Sequence, residues 1–258
     1  MNIRSITAPN PGPFTLDGTR TWLLGDSVVL DPGPAIDSHV RAILAAQPGL
    51  DTIFITHRHA DHAPAALALK QATGARIIAP PGVLDGDRDV DVSNGDVFEL
   101  ASGSLEVLAT PGHTAEHVCY LTSDGGLFTG DTILGYGTTT VFPPDGNMAD
   151  YLRSLHRLRA SEPKQIFPGH GPTRDDAIPL IDHYITHRLE REQQILAALV
   201  SGSMAVATLR AAIYPDLDRQ LHAAAEIQLL AHLIKLESER RVKRARDEWG
   251  LEQSALSS

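Results

Sequence analysis

Residues 56–62 hold the densest group of metal-ligating side chains in the sequence: three histidines and one aspartate directly follow the apolar run 51–55. Imidazole and carboxylate groups suit zinc, and also iron or manganese, whereas structural zinc fingers are rich in thiolates. His57 and His59 are two positions apart, so an extended loop directs both towards one ion, while Asp61 and His62 face a second. A polar turn accounts for one or two such residues, but four at this spacing favour a metal site.

Three distant residues could complete such a site. His113, Asp131 and His170 each follow a short apolar segment, and each lies in a turn that contains glycine. Residues at strand ends can converge on one edge of a sheet, and glycine allows the tight turns that present them. Each of the three, taken alone, is equally typical of an ordinary turn, but together with the cluster at 57–62 they complete two coordination shells.

Seven candidate ligands are enough for a dinuclear centre. They form two sets joined by a bridging carboxylate: His57, His59 and His113 for the first ion, Asp61, His62 and His170 for the second, and Asp131 between them. Because five of the seven are imidazoles, we expect two Zn²⁺ ions, with Mn²⁺ or Fe²⁺ as alternatives.

The elements that must position these residues follow from hydrophobic periodicity and from glycine and proline. Strands are predicted at 21–24, 27–30, 51–55, 75–79, 96–100, 105–109, 126–128 and 165–167. Helices in this part of the chain are predicted at 36–46, 62–72 and 148–159. Asp61 is expected to serve both as a metal ligand and as the N-cap of the second helix, which ends at Gly74.

The C-terminal third is predicted to be mainly helical. Its helices lie at 178–200, 204–214 and 219–239, and a short, partly charged tail begins at Val242. This order suggests a winged-helix-like module, so we expect a catalytic domain at 1–177 and a module at 178–258. Residues after about 201 should affect substrate handling more than chemistry, because every candidate ligand precedes residue 171.

Two groups of residues in this region allow alternative interpretations. The densest basic run in the chain consists of Arg240, Arg241, Lys243, Arg244 and Arg246. It fits either a solvated helix end or a contact to an RNA backbone. His183 and His187 are one helical turn apart. They are either ordinary surface or packing residues, or a pair that binds a ligand or lines a cleft.

The composition is that of a globular protein of 258 residues, 42% hydrophobic and 21% charged, which most simply forms one large and one small domain. A net charge of −10 argues against a broad nucleic-acid surface but permits a local basic patch. No segment has membrane-spanning length, and the polar segment 1–14 lacks a signal-peptide core, so we expect a cytoplasmic protein without a membrane partner. Cys119 is the only cysteine, which excludes an intramolecular disulfide.

The candidate ligands occur in motifs that resemble those of the metallo-β-lactamase superfamily. These are His-x-His-x-Asp-His at 57–62, Pro-Gly-His-Thr around His113, Thr-Gly-Asp-Thr around Asp131 and Pro-Gly-His-Gly around His170. The resemblance implies an α+β fold, a four-layer αββα sandwich with a two-metal site on one edge. The ligand assignment given above coincides with the one that the resemblance implies.

Most of the chain also resembles the β-lactamase-like protein 2 branch of this superfamily. The similar segments are 10–16, 137–142, 184–188 and 191–196. This resemblance implies a small helical winged-helix-like domain at the C-terminus and, through the animal members of the branch, an endoribonuclease that cleaves single-stranded RNA. Arg20 departs from the branch, which has Asn in the corresponding Gly-Thr-Asn-Thr, and this difference affects contacts near the first hairpin.

Hydrolysis is the expected reaction, because two ions that share a bridging hydroxide generate a nucleophile near neutral pH. Asp61 and Asp131 are the expected catalytic residues, since they hold the metals and can orient that hydroxide. The candidates for protonating the leaving group are a metal-bound water, Tyr136 and Thr138.

The sequence leaves four functions open. Cleavage of single-stranded RNA is supported by the branch resemblance and the basic run. Hydrolysis of a small thioester or lactone, as in glyoxalase II-like enzymes, is supported by the acidic composition, and β-lactam hydrolysis is a weaker third possibility. A binding protein that acts through the C-terminal module is disfavoured by the complete ligand set. An iron-dependent redox enzyme is also disfavoured, because di-iron relatives have a carboxylate at the position of His59.

Overall fold

The computed structural model describes residues 1–252, and two β-sheets form its centre. The first sheet has six strands in chain order: β1 (Ile3–Thr7), β2 (Arg20–Leu24), β3 (Val28–Leu30), β4 (Thr52–Phe54), β5 (Arg76–Ala79) and β6 (Val90–Asp91). The second has five, again each beside its sequence neighbour: β7 (Val97–Leu100), β8 (Gly103–Ala109), β9 (Val118–Thr122), β10 (Gly126–Gly130) and β11 (Gln165–Pro168). All eight predicted strands are present, whereas β1, β6 and β9 were not predicted.

Helices connect three of the four parallel strand pairs and cover the outer faces of the sheets, while β5 and β6 are joined by the loop 80–89. α1 (Asp37–Ala46) and α2 (Ala65–Thr73) link β3, β4 and β5, and α3 (Met148–Ala160) links β10 to β11. Parallel neighbours need such crossovers, because a tight hairpin reverses the direction of the chain. Asn147 begins α3, since its side chain accepts hydrogen bonds from the N–H groups of Ala149 and Asp150.

Three apolar cores hold the layers together. Between the sheets, the rings of Trp22, Phe128 and Phe167 lie 4.9 to 5.8 Å apart. A second core, which includes Ile43, joins the first sheet to α1 and α2, and a third, which includes Leu155, joins the second sheet to α3. Helix, sheet, sheet and helix are therefore stacked, and the predicted αββα sandwich is confirmed.

The C-terminal part is a winged helix domain, as predicted. This part of the chain contains α4 (Ala177–Leu199), β12 (Met204–Ala205), α5 (Val206–Ile213), a 3₁₀ helix (Arg219–Leu221), α6 (His222–Ser238), β13 (Val242–Ala245) and β14 (Glu248–Leu251). The predicted tail from Val242 is instead the β13–β14 hairpin, and β12 pairs with β14 to give a three-stranded sheet. Burial of Val242 and Trp249 in the module's core explains why this segment folds back.

α4 belongs to two cores. Ile181 and Tyr184 in its first half pack with α3, while Ile195 and Leu199 in its second half pack within the C-terminal module. The predicted domain boundary at 177/178 thus falls at the start of a shared helix and stays a prediction, and positions 253–258 lie outside the described residues. No helix within residues 1–252 is both long and apolar enough to cross a membrane.

The predicted N-cap role of Asp61 is wrong. α2 begins at Ala65, and the residue before it is Pro64, which makes no side-chain cap. Proline suits this position because its fixed φ fits the first turn and its missing N–H leaves no donor unpaired. The Asp61 carboxylate instead accepts a hydrogen bond from Thr19 Oγ1 at 3.3 Å. The predicted end of the helix is confirmed, since Gly74 has a left-handed φ of 77°.

Candidate metal centre

The strands that precede the predicted ligands end at one edge of the sandwich. β8 and β10 are both antiparallel to β9 and therefore parallel to each other, and β10 is parallel to β11, so their carboxyl ends lie together. β4, which precedes the histidine cluster, is attached to this edge by two hydrogen bonds. Val118 N–H donates to Thr56 O at 3.0 Å, and the Tyr120 hydroxyl donates to Ile55 O at 2.9 Å.

The fold brings all seven predicted ligands together. They form two groups with Asp131 in common, namely His57, His59, His113 and Asp131, and Asp61, His62, His170 and Asp131. Within each group the potential ligand atoms lie within 4.8 Å of one another. His59 Nδ1 is 3.0 Å from His57 Nε2 and 3.1 Å from His113 Nε2, and the Nε2 atoms of His62 and His170 are 3.3 Å apart. The grouping matches the predicted division between two ions.

The side chains in this centre fit a pair of cations. Asp131 Oδ1 is buried and lies 3.3 Å from both His62 Nε2 and His170 Nε2, yet accepts no hydrogen bond from the described residues. Burial opposes ionisation of Asp131, but these two imidazoles outweigh it and hold its pKa well below the ordinary value. Burial, assisted by neighbouring imidazoles, lowers the pKa of His57 well below its ordinary value. Although burial opposes it, the neighbouring carboxylates raise the pKa of His62 well above its ordinary value and that of His170 to about 9, so both rings release a proton when a metal binds. Carboxylates and imidazoles that converge in this way form a donor set for divalent metals.

Hydrogen bonds to the remote ring nitrogen orient four of the five histidines. The pairs are His57 Nδ1 with Thr56 Oγ1 (2.9 Å), His62 Nδ1 with Asp31 Oδ2 (3.0 Å), His113 Nδ1 with Thr140 O (2.8 Å) and His170 Nδ1 with Gly18 O (3.3 Å). Such partners fix the ring orientation and leave Nε2 directed at the centre. His59 differs, because its Nδ1 faces the centre.

Asp31 is a supporting residue that was not predicted from the sequence. Its buried carboxylate accepts hydrogen bonds from the Thr56 N–H (2.8 Å) and the Thr56 hydroxyl (2.8 Å), and it is paired with His62 Nδ1. Thr56 in turn contacts His57, so Asp31 supports both groups of candidate ligands. The sequence Asp31-Pro32-Gly33 indicated only the end of a strand, because its 25-residue separation from Thr56 hides the contact.

His117 is a second supporting residue that was missed. It is buried, its ring stacks on His57 with centroids 4.8 Å apart, and its Nε2 accepts a hydrogen bond from the Asp131 N–H at 3.2 Å. Burial, reinforced by His113, lowers its pKa well below the ordinary value, so the ring is neutral. Its position four residues after His113 was the available signal, but no strand had been predicted there to place it.

Two glycines allow the backbone to approach the centre. At Gly130, which has a φ of 44°, a Cβ atom would lie 2.5 Å from Thr56 Oγ1 and 2.8 Å from His117 Nε2. At Gly169 it would lie 2.8 Å from Asp131 Oδ1. Any larger residue would displace a ligand or its support, which explains why glycine precedes both Asp131 and His170.

A cleft of about 550 Å³ opens onto the centre, and Asp61, Asp131 and both His59 and His113 form part of its floor. Its walls are largely apolar and include Phe14, Leu16, Leu134 and Phe142, together with Tyr136 and Thr138. The rings of Phe14 and Phe142 meet edge to face at 6.0 Å. None of the described residues that line the cleft is a lysine or arginine. The nearby Arg58 is paired with Glu116 and Asp145.

The basic run, the pair His183 and His187, and Cys119 all lie outside the two groups of candidate ligands. The basic run lies on the β13–β14 hairpin, which is the wing of the winged helix domain, and on the turn before it. Its charges have acidic neighbours at 3.7 to 4.0 Å: Arg241 approaches Glu192 and Glu239, Lys243 approaches Glu252, and Arg244 approaches Asp247. The rings of His183 and His187 are 6.3 Å apart on α4. Burial raises the pKa of the Cys119 thiol to about 12, so it is not a nucleophile.

Family models match this chain in two regions. The model described as metallo-beta-lactamase superfamily matches residues 15–85 and 80–170, which include every candidate ligand. The chain belongs to the metallo-β-lactamase superfamily. A second model, described as beta-lactamase associated winged helix domain, matches residues 206–249. The chain is therefore a metallo-β-lactamase-fold, metal-dependent hydrolase with an associated winged helix domain.

Proteins similar to this chain carry names of more than one kind. A beta-lactamase-like protein 2 homolog from Drosophila melanogaster is 32% identical over 272 residues, covering 94% of this chain and 91% of that protein. An atrochrysone carboxyl ACP thioesterase from Aspergillus fumigatus is 30% identical over 206 residues, covering 75% of this chain and 64% of that protein. The crystal structure of a metallo-beta-lactamase family protein from Thermus thermophilus, 21% identical, covers 96% of this chain and 98% of its own with a TM-score of 0.81. That structure supports the fold alone.

Proposed function

We propose that this enzyme hydrolyses thioesters of apolar acyl groups, using two divalent ions held by the seven candidate ligands. The cleft carries the proposal: its apolar walls suit an acyl chain, and its described lining offers no cationic side chain for a phosphate. The histidine-rich donor set favours Zn²⁺. The similarity to a protein named as an acyl carrier protein thioesterase points to the same substrate class.

The chain's own residues would position the reacting groups. When bound, two divalent ions supply a nucleophilic water near neutral pH and stabilise negative charge on the attacked carbonyl. Asp61 lies in the cleft, and although burial opposes it, His62 and His170 hold the pKa of Asp61 at about 2. Its carboxylate is therefore ionised, and it would hold a metal ion and accept a hydrogen bond from the attacking water, whose proton passes to solvent because so weak a base does not retain it. As the water oxygen bonds to the thioester carbon, the carbon–sulfur bond breaks. Tyr136, on the cleft wall, would be the proton donor to the departing sulfur.

The leaving group also favours a thioester. A thiol has an ordinary pKa of about 8.5, so its thiolate is a good leaving group and needs little help from an acid. A ribose oxygen leaving from RNA is far more basic and needs a dedicated proton donor.

Cleavage of single-stranded RNA is the second candidate. The observation that favours it is the exposure of two aromatic rings on the cleft, Phe14 at 58% and Tyr136 at 49%, because unpaired bases stack on such rings. The cationic wing offers phosphate contacts, but Arg241, Lys243 and Arg244 have acidic neighbours that weaken its field.

The test is one substrate panel on one preparation. Protein loaded with Zn²⁺ or Mn²⁺ is assayed with octanoyl and acetyl thioesters, a lactone, a β-lactam and single-stranded RNA, and an Asp131→Ala preparation reveals contaminating activities. We expect fastest turnover of the octanoyl thioester, abolished by a chelator and restored by metal. Turnover of RNA without turnover of either thioester would replace the thioester proposal with the RNA candidate.

Replacing Phe14 by alanine should raise KM for the octanoyl thioester about five- to tenfold, because the ring contributes apolar surface to the acyl site. The acetyl thioester, which does not reach the ring, should be unaffected. Leu189→Ala, on α4 and 44% exposed, is the matched control for loss of a surface apolar side chain. An equal rise in KM for both thioesters would show that Phe14 does not contact the acyl chain.

A wing variant distinguishes the two candidate functions. Changing Lys243, Arg244 and Arg246 together to glutamine should leave thioester turnover within about twofold of wild type, since none of them lines the cleft. If RNA is cleaved, the same variant should cleave it more slowly and with a shallower dependence on salt, because about three phosphate contacts are lost. A large loss of thioester turnover would contradict this separation.

A further inference from the structure

The cleft wall at residues 137–142 contains no helix or strand, yet its backbone is firmly held. Three consecutive carbonyl groups, those of Thr139, Thr140 and Val141, each accept a hydrogen bond from a distant side chain. The middle carbonyl accepts from His113 Nδ1 at 2.8 Å, and Thr139 Oγ1 lies 3.3 Å from the same nitrogen. This segment therefore sets the orientation of one candidate ligand.

The two outer carbonyls are held from the C-terminal part of the chain. Arg188 in α4 donates through Nη2 to Thr139 O at 2.6 Å, and Gln228 in α6 donates through Nε2 to Val141 O at 2.8 Å. The two side chains are also joined, because Arg188 Nη1 donates to Gln228 Oε1 at 3.1 Å. Arg188 is only 3% exposed, so water cannot readily replace the charge-assisted hydrogen bonds that its guanidinium donates.

Side-chain packing also connects the C-terminal part of the chain to the cleft wall. Val141 is fully buried in a core that includes Ala231 of α6, and the Arg188 guanidinium lies 5.3 Å from the ring centre of Tyr151 in α3. α6 thus packs directly on the catalytic domain. Residues after about 201 were expected to affect mainly substrate handling. Gln228 belongs to that region, yet it holds the backbone beside the carbonyl that orients His113.

We infer that Arg188 and Gln228 are positioning residues for the metal centre, through which the winged helix domain fixes the backbone at 139–141 and thereby the ring of His113. The inference rests on the proposed role of His113 as a metal ligand. A hydrogen bond of 2.8 Å is lost when its acceptor moves by about 1 Å, and an unsupported ligand ring binds metal more weakly.

Two variants at Gln228 test this inference. Gln228→Met keeps the length of the side chain but removes both hydrogen bonds, whereas Gln228→Glu keeps an acceptor for Arg188 and removes only the donor to Val141. Gln220→Met, exposed on the neighbouring 3₁₀ helix, is the matched control. Each protein is loaded with two Co²⁺ ions, and the visible absorption bands and the rate of Co²⁺ release to a chelator are measured alongside kcat and KM.

Both Gln228 variants should show shifted cobalt bands and release one of the two ions about five- to tenfold faster, with the main kinetic loss in kcat. Gln220→Met should match wild type. A folded Gln228 variant with wild-type bands and wild-type release would overturn the inference even if thioesters are hydrolysed. If wild type itself takes up no Co²⁺, the proposed metal centre fails, and the inference built on it fails too. A thioester assay that is negative while the bands shift would remove only the proposed substrate.

Discussion

Replacing Asp131 by alanine is expected to reduce hydrolysis at least about a thousandfold and to lower the occupancy of both metal ions. Asp131 is the residue shared by the two ligand groups, so its loss removes one donor from each. Loss of a partner outside the coordination shell typically costs about 10- to 100-fold, and loss of a shared ligand should cost more. Elemental analysis after loading and desalting, together with kcat/KM for the octanoyl thioester, measures both effects.

The matched control is Asp216→Ala, which removes an exposed carboxylate from the loop between α5 and the 3₁₀ helix. It should retain two ions and full turnover. Retention of two tightly bound ions by the Asp131 variant would contradict a bridging role. Loss of one ion alone would assign Asp131 to a single site.

Replacing Asp31 by alanine should destabilise the metal-free protein by about 3 kcal/mol, because buried donors on Thr56 and His62 lose their acceptor. It should also weaken metal binding by about 10- to 100-fold, since both histidine groups depend on this carboxylate. Urea denaturation of the metal-free protein gives the first quantity, and competition with a chelator gives the second.

Two further variants accompany Asp31→Ala: one keeps a hydrogen-bond acceptor without the charge, and the other is a control at an exposed position. Asp31→Asn keeps one acceptor oxygen and tolerates the left-handed φ of 50° at this position, so it should recover part of the stability. Asp26→Ala, in the exposed turn of the same hairpin, should leave both quantities unchanged. Wild-type stability and metal affinity in Asp31→Ala would show that the centre does not depend on this support.

Local sequence was sufficient wherever a residue's role follows from its neighbours. The histidine cluster at 57–62 and the glycine turns before His113, Asp131 and His170 identified the seven candidate ligands. Periodicity placed eight strands correctly, since alternating or continuous apolar runs are local features. β9 escaped prediction because the run Val118–Thr122 is buried on both faces and shows no alternation with polar residues.

The failures involve competition between local and long-range contacts. Asp61 has a typical capping side chain at a typical position, but the structure directs it to Thr19 and the metal centre, and proline begins the helix instead. The segment after Val242 is charged and short, which locally suggests a tail. It forms a wing because Trp249 and Val242 are buried in the apolar core that α4, α5 and α6 share.

The sequence by itself determined the fold class, the winged helix domain and the set of residues able to hold two metals, because motifs and periodicity are properties of short segments. The tertiary structure decided which residues support that set: Asp31, His117, Arg188 and Gln228 lie far along the chain from the side chains or backbone they hold. It also decided the character of the cleft, since Phe14 and Phe142 meet only after the chain folds. Hydrogen bonds and apolar contacts between distant segments depend on the arrangement of the sheets, which no short stretch of sequence encodes.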